Sequence, residues 1–162
     1  MSSQLKNLST TTLKPNQQFS TYRIGIVVAE WNTEITGALL SGAVDFLLEM
    51  GVLENNIIVH SVPGSFELSL GAQYLASNNN IDAVLTIGCV IQGETRHFDF
   101  ICDAVAHGVT NVSLKYNKPV IFGVLTPNSQ QQAIDRAGGK HGNKGIEAAE
   151  TALKMLLLRD NL

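Results

Sequence analysis

The residues able to do chemistry fall in short segments that follow apolar runs. The fullest is Gln92-Gly93-Glu94-Thr95-Arg96-His97-Phe98. A glycine turn running into a helix leaves backbone N–H groups unpaired and pointing outward, a ready site for phosphate. Thr95 adds a hydroxyl there. His97 falls in the first helical turn, and histidine is the side chain that trades protons near neutral pH. The bland alternative is a solvent-facing histidine after an ordinary turn. A second segment, Val62-Pro63-Gly64-Ser65-Phe66-Glu67, carries a hydroxyl, an aromatic ring and a carboxylate. Glu67 either complements a helix dipole or holds ring N–H groups of a ligand. Phe66 and the single tryptophan, Trp31 in Glu30-Trp31-Asn32, are either rim packing residues or flat faces for a planar heterocycle. Thr126-Pro127-Asn128 completes the set, while His60, His107 and His141 show no partner pattern.

A further segment, Arg136-Ala137-Gly138-Gly139-Lys140-His141-Gly142-Asn143-Lys144-Gly145, joins glycine to cations between two helical stretches. It is not a phosphate-cradling Walker loop, because no strand precedes it and Gly145 stands where Ser or Thr is needed. It reads either as a helix-terminating turn or as a basic loop closing over an anion. No G-x-G-x-x-G follows the first apolar run, which gives a dinucleotide site little support.

The elements that must position these segments alternate. Tyr22 to Ala29 is a short β-rich apolar run, as in a strand buried on both faces. Thr33 or Asn32 caps a helix whose apolar face is Ile35, Leu39, Ala43, Phe46, Leu47 and Met50, and Gly51 stops it. Asn56 to Ser61 is a second strand, and Ser65 caps a helix from Phe66 to about Ser77. Ala83 to Ile91 is a third strand, His97 to about Asn117 a helix, and Pro119 to Leu125 a fourth strand. Helical stretches follow from about Asn128 to Ala137 and from Asn143 to Leu158, the last with Glu150 and Lys154 paired four apart. Four strands alternating with helices predict βαβ crossovers and a three-layer α/β/α sandwich. Its parallel sheet has the flavodoxin-like order 2-1-3-4. Ligands of such a sheet bind beyond the carboxyl ends of its strands, where the segments above gather.

Composition sets the remaining bounds. The 162 residues suit one core, read as a single domain over 21–162 behind a polar arm over 1–20. Charged residues are only 15%, against roughly a quarter in an average soluble domain. The chain is therefore expected either to expose much neutral polar surface or to bury part of its outside against copies of itself. The net charge of 11 − 14 = −3, with no basic run, argues against nucleic acid as a main partner. The longest apolar stretch, Ala83 to Ile91, is too short for a bilayer. Cys89 and Cys102 lack metal-ligand spacing and read as reduced thiols of a cytoplasmic protein.

Three motifs in order resemble one family closely, that of 6,7-dimethyl-8-ribityllumazine synthase in riboflavin biosynthesis. They are Val62-Pro63-Gly64-Ser65-Phe66-Glu67-Leu68, Gly93-Glu94-Thr95-Arg96-His97-Phe98-Asp99, and Arg136-Ala137-Gly138 with Gly142-Asn143-Lys144-Gly145. The resemblance runs from about Tyr22 onward. It implies a condensation of 5-amino-6-(D-ribitylamino)uracil with 3,4-dihydroxy-2-butanone 4-phosphate, with no cofactor and no metal. It implies Trp31 stacked on the pyrimidine, contacts from Ser65, Phe66 and Glu67, and contacts from the backbone of Cys89, Val90 and Ile91. It implies that Glu94 and Thr95 hold the phosphate and that His97 transfers protons. The resemblance implies that Phe122 and Arg136 reach in from a neighbouring subunit, Phe122 beside the pyrimidine and Arg136 on the phosphate, with Lys144 on the phosphate side. The resemblance further implies pentamers, a sixty-subunit icosahedral shell from the short loop at 138–145, and riboflavin synthase as an encapsulated partner. Arg96, Ser69, Cys89 and Asp135 depart from the commonest family residues.

Two other readings stay open on the residues alone. A non-catalytic flavin- or lumazine-binding protein needs Trp31 but not Glu94, Thr95, His97 and Arg136 together. A flavodoxin-like carrier or a receiver domain shares the scaffold, but a receiver wants clustered acids after the first strand, where Glu30 stands alone.

Overall fold

The computed structural model describes residues 13–162. Of the arm expected over 1–20, the first twelve residues lie outside the described ones. Within the rest, Phe19 is buried in a short 3-10 turn over Gln17–Thr21.

The strands of the main sheet are β1 (Ile24–Ala29), β2 (Ile57–Val62), β3 (Ala83–Cys89) and β4 (Val120–Leu125). All pair in parallel, in the order β2-β1-β3-β4. The expected sandwich and strand order are therefore observed. The helices are α1 (Thr33–Met50), α2 (Leu68–Ala76), α3 (His97–Tyr116), α4 (Gln130–Ile134) and α5 (Lys144–Asp160).

Every residue of β1 and β3 is buried, as continuous apolar runs require when both sheet faces are covered. Strand alternation divides the core into two. Ile24, Ile26, Leu85 and Ile87 point toward α1 and α5, packing with Leu39, Leu47, Leu153 and Leu156. Val27, Ala29 and Val84 point toward α2 and α3, packing with Leu68, Ala72, Val105 and Val109. Each fully buried Leu or Ile contributes about 1.5–3 kcal/mol relative to exposure. Thr86 is the polar residue inside β3, and its hydroxyl donates to the carbonyl of Ile121 at 2.8 Å.

Helix ends explain where the elements stop. Gly51 takes φ +106 after α1, its N–H donating to the carbonyl of Leu48 and that of Val52 to Leu47. Lys118 closes α2 from outside, its ammonium donating to the carbonyls of Ala76 and Asn78. At the start of α5, the Asn143 side-chain oxygen accepts from the N–H of Gly145 at 2.8 Å. Its amide also donates to the carbonyl of Ala38 at 2.9 Å, fastening α5 to α1. The two helices lie so close there that a Cβ on Gly145 would collide with the carbonyl oxygen of Leu39.

Three local expectations are corrected. Asn32 stands at the N-cap position of α1 but its side chain makes no capping hydrogen bond, and Thr33 lies in the helix with its hydroxyl donating to the Glu30 carbonyl. Ser65 does not cap a helix with its side chain. Ser65–Glu67 form a 3-10 turn, and α2 begins only at Leu68. The glycine-rich segment after α4 is neither a plain turn nor an open loop. β5 (Ala137–Gly139) and β6 (Gly142–Asn143) pair antiparallel, with Gly138 and Gly142 both at positive φ.

Candidate active site

Two cavities hold most of the candidate residues, one at the carboxyl end of the sheet and one along its β4 edge. The first, of about 630 Å³, is lined by Trp31, Asn32, Gly64, Ser65, Phe66, Glu67, Cys89, Val90, Ile91, His97 and Ile101. It gathers the whole candidate pyrimidine set except Phe122, and adds His97.

Each wall has a local cause. The chain leaving β1 turns at Asn32, which adopts the left-handed conformation at φ 61. Its side-chain amide donates to the carbonyl of Cys89 at 2.9 Å, so the end of β1 is tied to the end of β3. Glu30 and Trp31 N–H groups donate to the carbonyls of Val62 and Pro63, tying the same turn to the end of β2. Trp31 thereby presents its ring with 73% of its surface exposed, and Phe66 presents 55%. Large aromatic surfaces held open at the mouth of a cavity suit stacking on a planar ring.

The buried hydroxyl of Ser65 has no hydrogen-bond partner among the described residues. It sits against Gly88, where a Cβ would come within 2.8 Å of it. A buried polar group without a partner costs free energy, and a ligand polar group in the cavity would satisfy it. Cys89 is buried, which pushes its thiol up to about 11. It is therefore a neutral part of the cavity wall. His97 opens α3 and is exposed, its N–H reaching the Thr95 hydroxyl at 3.4 Å.

Glu94 and Thr95 are exposed on the turn before α3 and do not line this cavity. Arg96, beside them, leans over the Phe100 ring at 5.7 Å and lies 3.6 Å from the Asp99 carboxylate. Its charge is thus directed along the outer side of α3, away from the face that carries His97 and Ile101.

The second cavity, of about 640 Å³, lies between β4 and α5 and includes Phe122, Thr126, Pro127, Gln132, Arg136, Lys144 and Glu147. Phe122 is 43% exposed on the edge strand. The small hairpin fixes both cations. The Lys144 N–H donates to the Arg136 carbonyl at 2.9 Å, and the His141 N–H donates to the Asp135 carbonyl at 2.8 Å. Asp135 underpins the turn, pairing with Lys140 at 2.9 Å and accepting from Gln131 at 3.0 Å. The hydrogen bonds from Lys140 and Gln131 hold its carboxyl below the usual aspartate range. The Arg136 guanidinium donates to the Gln132 carbonyl at 3.0 Å, and Lys144 pairs with Glu147.

Within one chain, then, the candidate residues divide. Trp31, Ser65, Phe66, Glu67, Cys89, Val90, Ile91 and His97 share one cavity, while Phe122, Arg136 and Lys144 share the other. Sequence reasoning put Asn32 in a rim segment without giving it a role in the first cavity, and missed Ile101 there and Gln132 and Glu147 in the second. Ile101 was legible, one helical turn after His97 on the same face. The role of Asn32 was not, because its partner lies far away in the chain.

Comparison with known proteins places the chain in a family. The family described as 6,7-dimethyl-8-ribityllumazine synthase matches residues 21–160. The chain is 64% identical to the 6,7-dimethyl-8-ribityllumazine synthase of Cytophaga hutchinsonii over 157 residues, covering 96% of this chain and 98% of that one. It is 59% identical to the protein of that name from Porphyromonas gingivalis over 133 residues, covering 82% and 83%. Against the Parabacteroides distasonis protein it is 50% identical over 156 residues, covering 96% and 98%. On the extent and identity of these matches, the chain belongs to the 6,7-dimethyl-8-ribityllumazine synthase family.

Proposed function

We propose that the chain condenses 5-amino-6-(D-ribitylamino)uracil with 3,4-dihydroxy-2-butanone 4-phosphate to give 6,7-dimethyl-8-ribityllumazine, phosphate and water. The observation that carries the reading is the first cavity, where Trp31, Phe66, Glu67 and His97 surround one space. The pyrimidine stacks on Trp31 beside Phe66. Its polar edge meets Glu67, the Ser65 hydroxyl and the backbone of Cys89, Val90 and Ile91. The amine attacks the ketone and water leaves as the imine forms. Phosphate is then eliminated, and attack of the second amine closes the ring with loss of a second water. Every step moves a proton, and His97 at the cavity rim is the residue to move it. Holding two substrates in line supplies much of the rate, since such placement is worth up to roughly 7–11 kcal/mol.

The phosphate lies toward Glu94 and Thr95, where the turn into α3 offers backbone N–H groups. Arg136 and Lys144 lie in the other cavity of the same chain, so they and Phe122 complete the site of an adjacent subunit. This division supports a ring of subunits with sites at the interfaces. The ring is a pentamer, and the short 138–145 hairpin supports assembly into a sixty-subunit shell able to enclose riboflavin synthase. The protein works in the cytoplasm, consistent with no helix among the described residues being long and apolar enough to cross a membrane.

The test is to incubate the purified protein with both substrates and follow lumazine fluorescence. Product should form only with both substrates present. Formation no faster than without protein would remove the enzymatic reading and leave a lumazine- or flavin-binding protein on the same scaffold.

A further inference from the structure

In the second cavity the Lys144 ammonium donates to both carboxylate oxygens of Glu147, at 2.7 Å each. The two side chains are only 23% and 18% exposed. A two-pronged pair with this little exposure is stronger than the usual surface ion pair. Both residues belong to the first turn of α5, three apart, so the helix places the carboxylate beside the ammonium. Arg136 lines the same cavity, its backbone tied to that of Lys144. Two cations and one carboxylate therefore face one space. A phosphate dianion approaching Lys144 must displace Glu147 or share the ammonium with it, and meets a like charge in either case.

The reaction proposed above makes opposite demands at this place. The phosphate of the ketone substrate must be held, and the phosphate eliminated from it must depart. Arg136 and Lys144 unopposed would serve the first demand and hinder the second. We infer that Glu147 is a positioning residue for Lys144 whose counter-charge limits the grip of the site on phosphate, so that the product ion is released. The inference rests on the assignment of Lys144 to the phosphate side in the proposed function.

The experiment measures KM for the phosphorylated ketone and competitive inhibition by inorganic phosphate in the assembled enzyme. Glu147→Gln keeps the shape and removes the charge. It should lower that KM and tighten phosphate inhibition by roughly three- to tenfold. Glu147→Ala should shift both in the same direction, and Glu147→Asp should return phosphate affinity toward wild type. In a Lys144→Met background the effect of Glu147→Gln should vanish. A merely structural Glu147 gives the opposite sign, with weaker phosphate binding in Gln and Ala alike. If Lys144→Met weakens phosphate binding but neither Glu147 variant tightens it, the role of Glu147 falls and the phosphate assignment stands. If no variant moves phosphate affinity, the assignment of Lys144 falls too.

Discussion

The side-chain amide of Asn32 donates to the carbonyl of Cys89 at 2.9 Å, joining the ends of two adjacent central strands. Trp31 precedes one partner, and Val90 and Ile91 follow the other. The bond therefore sets the spacing between the Trp31 ring and the backbone edge opposite it. Asn32 also holds a left-handed backbone, which costs most residues about 1–2 kcal/mol.

These two duties can be separated. Asn32→Ala should lose about 1–2 kcal/mol of stability and raise KM for the pyrimidine. Asn32→Gly relieves the backbone cost and should recover stability while KM stays high. Thermal unfolding together with KM for each substrate reads both effects. A glycine variant with wild-type KM would show that the cross-strand bond does not position the ring.

His97 lies on the cavity rim at the first residue of α3. Proton transfer by a placed side chain is worth about 10²–10⁴-fold, while alignment of the two substrates is supplied by other walls. His97→Ala should therefore lower kcat by roughly a hundredfold, leaving clear turnover above background and KM for the pyrimidine little changed. Wild-type turnover in that variant would remove His97 from the mechanism.

The strands and the long helices were legible because their residues are locally consistent. The β1 and β3 runs have no polar break apart from Thr86, and α3 keeps Val105, Val109 and Val112 on one face. The parallel strand order then brings the segments holding Trp31, Phe66 and His97 to one rim of the sheet. The hairpin at 137–143 was not legible. Ala137-Gly138-Gly139 has no alternation of apolar and polar residues, and its pairing depends on backbone bonds from His141 and Lys144 back to Asp135 and Arg136. Ser65 looked like a cap from its position, but the 3-10 turn carries its hydroxyl inward against Gly88. The Glu150–Lys154 pair expected on α5 forms at 2.7 Å. Lys144 and Glu147 are spaced just as regularly, but spacing alone does not say whether a lysine beside a cavity faces a ligand or its own helix.

The far end of the molecule has its own pH dependence. The Tyr22 hydroxyl is buried and donates to the Asp160 carboxylate at 2.6 Å. Burial and that bond push Tyr22 up to about 12. A tyrosine whose folded value exceeds its unfolded value, near 10, stabilises the fold fully below about pH 10 and loses that contribution as pH rises toward 12. Asp160 is held low by the Tyr22 hydroxyl and Arg159, so its contribution is present above the ordinary aspartate value and fades as pH falls below about 4. Tyr22→Phe should lower Tm at neutral pH and flatten the loss between pH 10 and 12. Asp160→Asn should flatten the acid side instead. Thermal unfolding from pH 3 to 11.5 distinguishes these outcomes from a pair that contributes nothing.

The central claim is that one site is built from the first cavity of one subunit and the second cavity of its neighbour. Trp31→Ala combined with Phe66→Ala damages the first cavity, and Arg136→Ala damages the second. Each variant alone should be severely impaired. Refolded together in equal amounts, they form rings in which some sites combine two intact halves. Random mixing in a cyclic assembly predicts about a quarter of wild-type lumazine formation per subunit. Activity no greater than the average of the two parents, in rings shown to be mixed, would contradict the shared site.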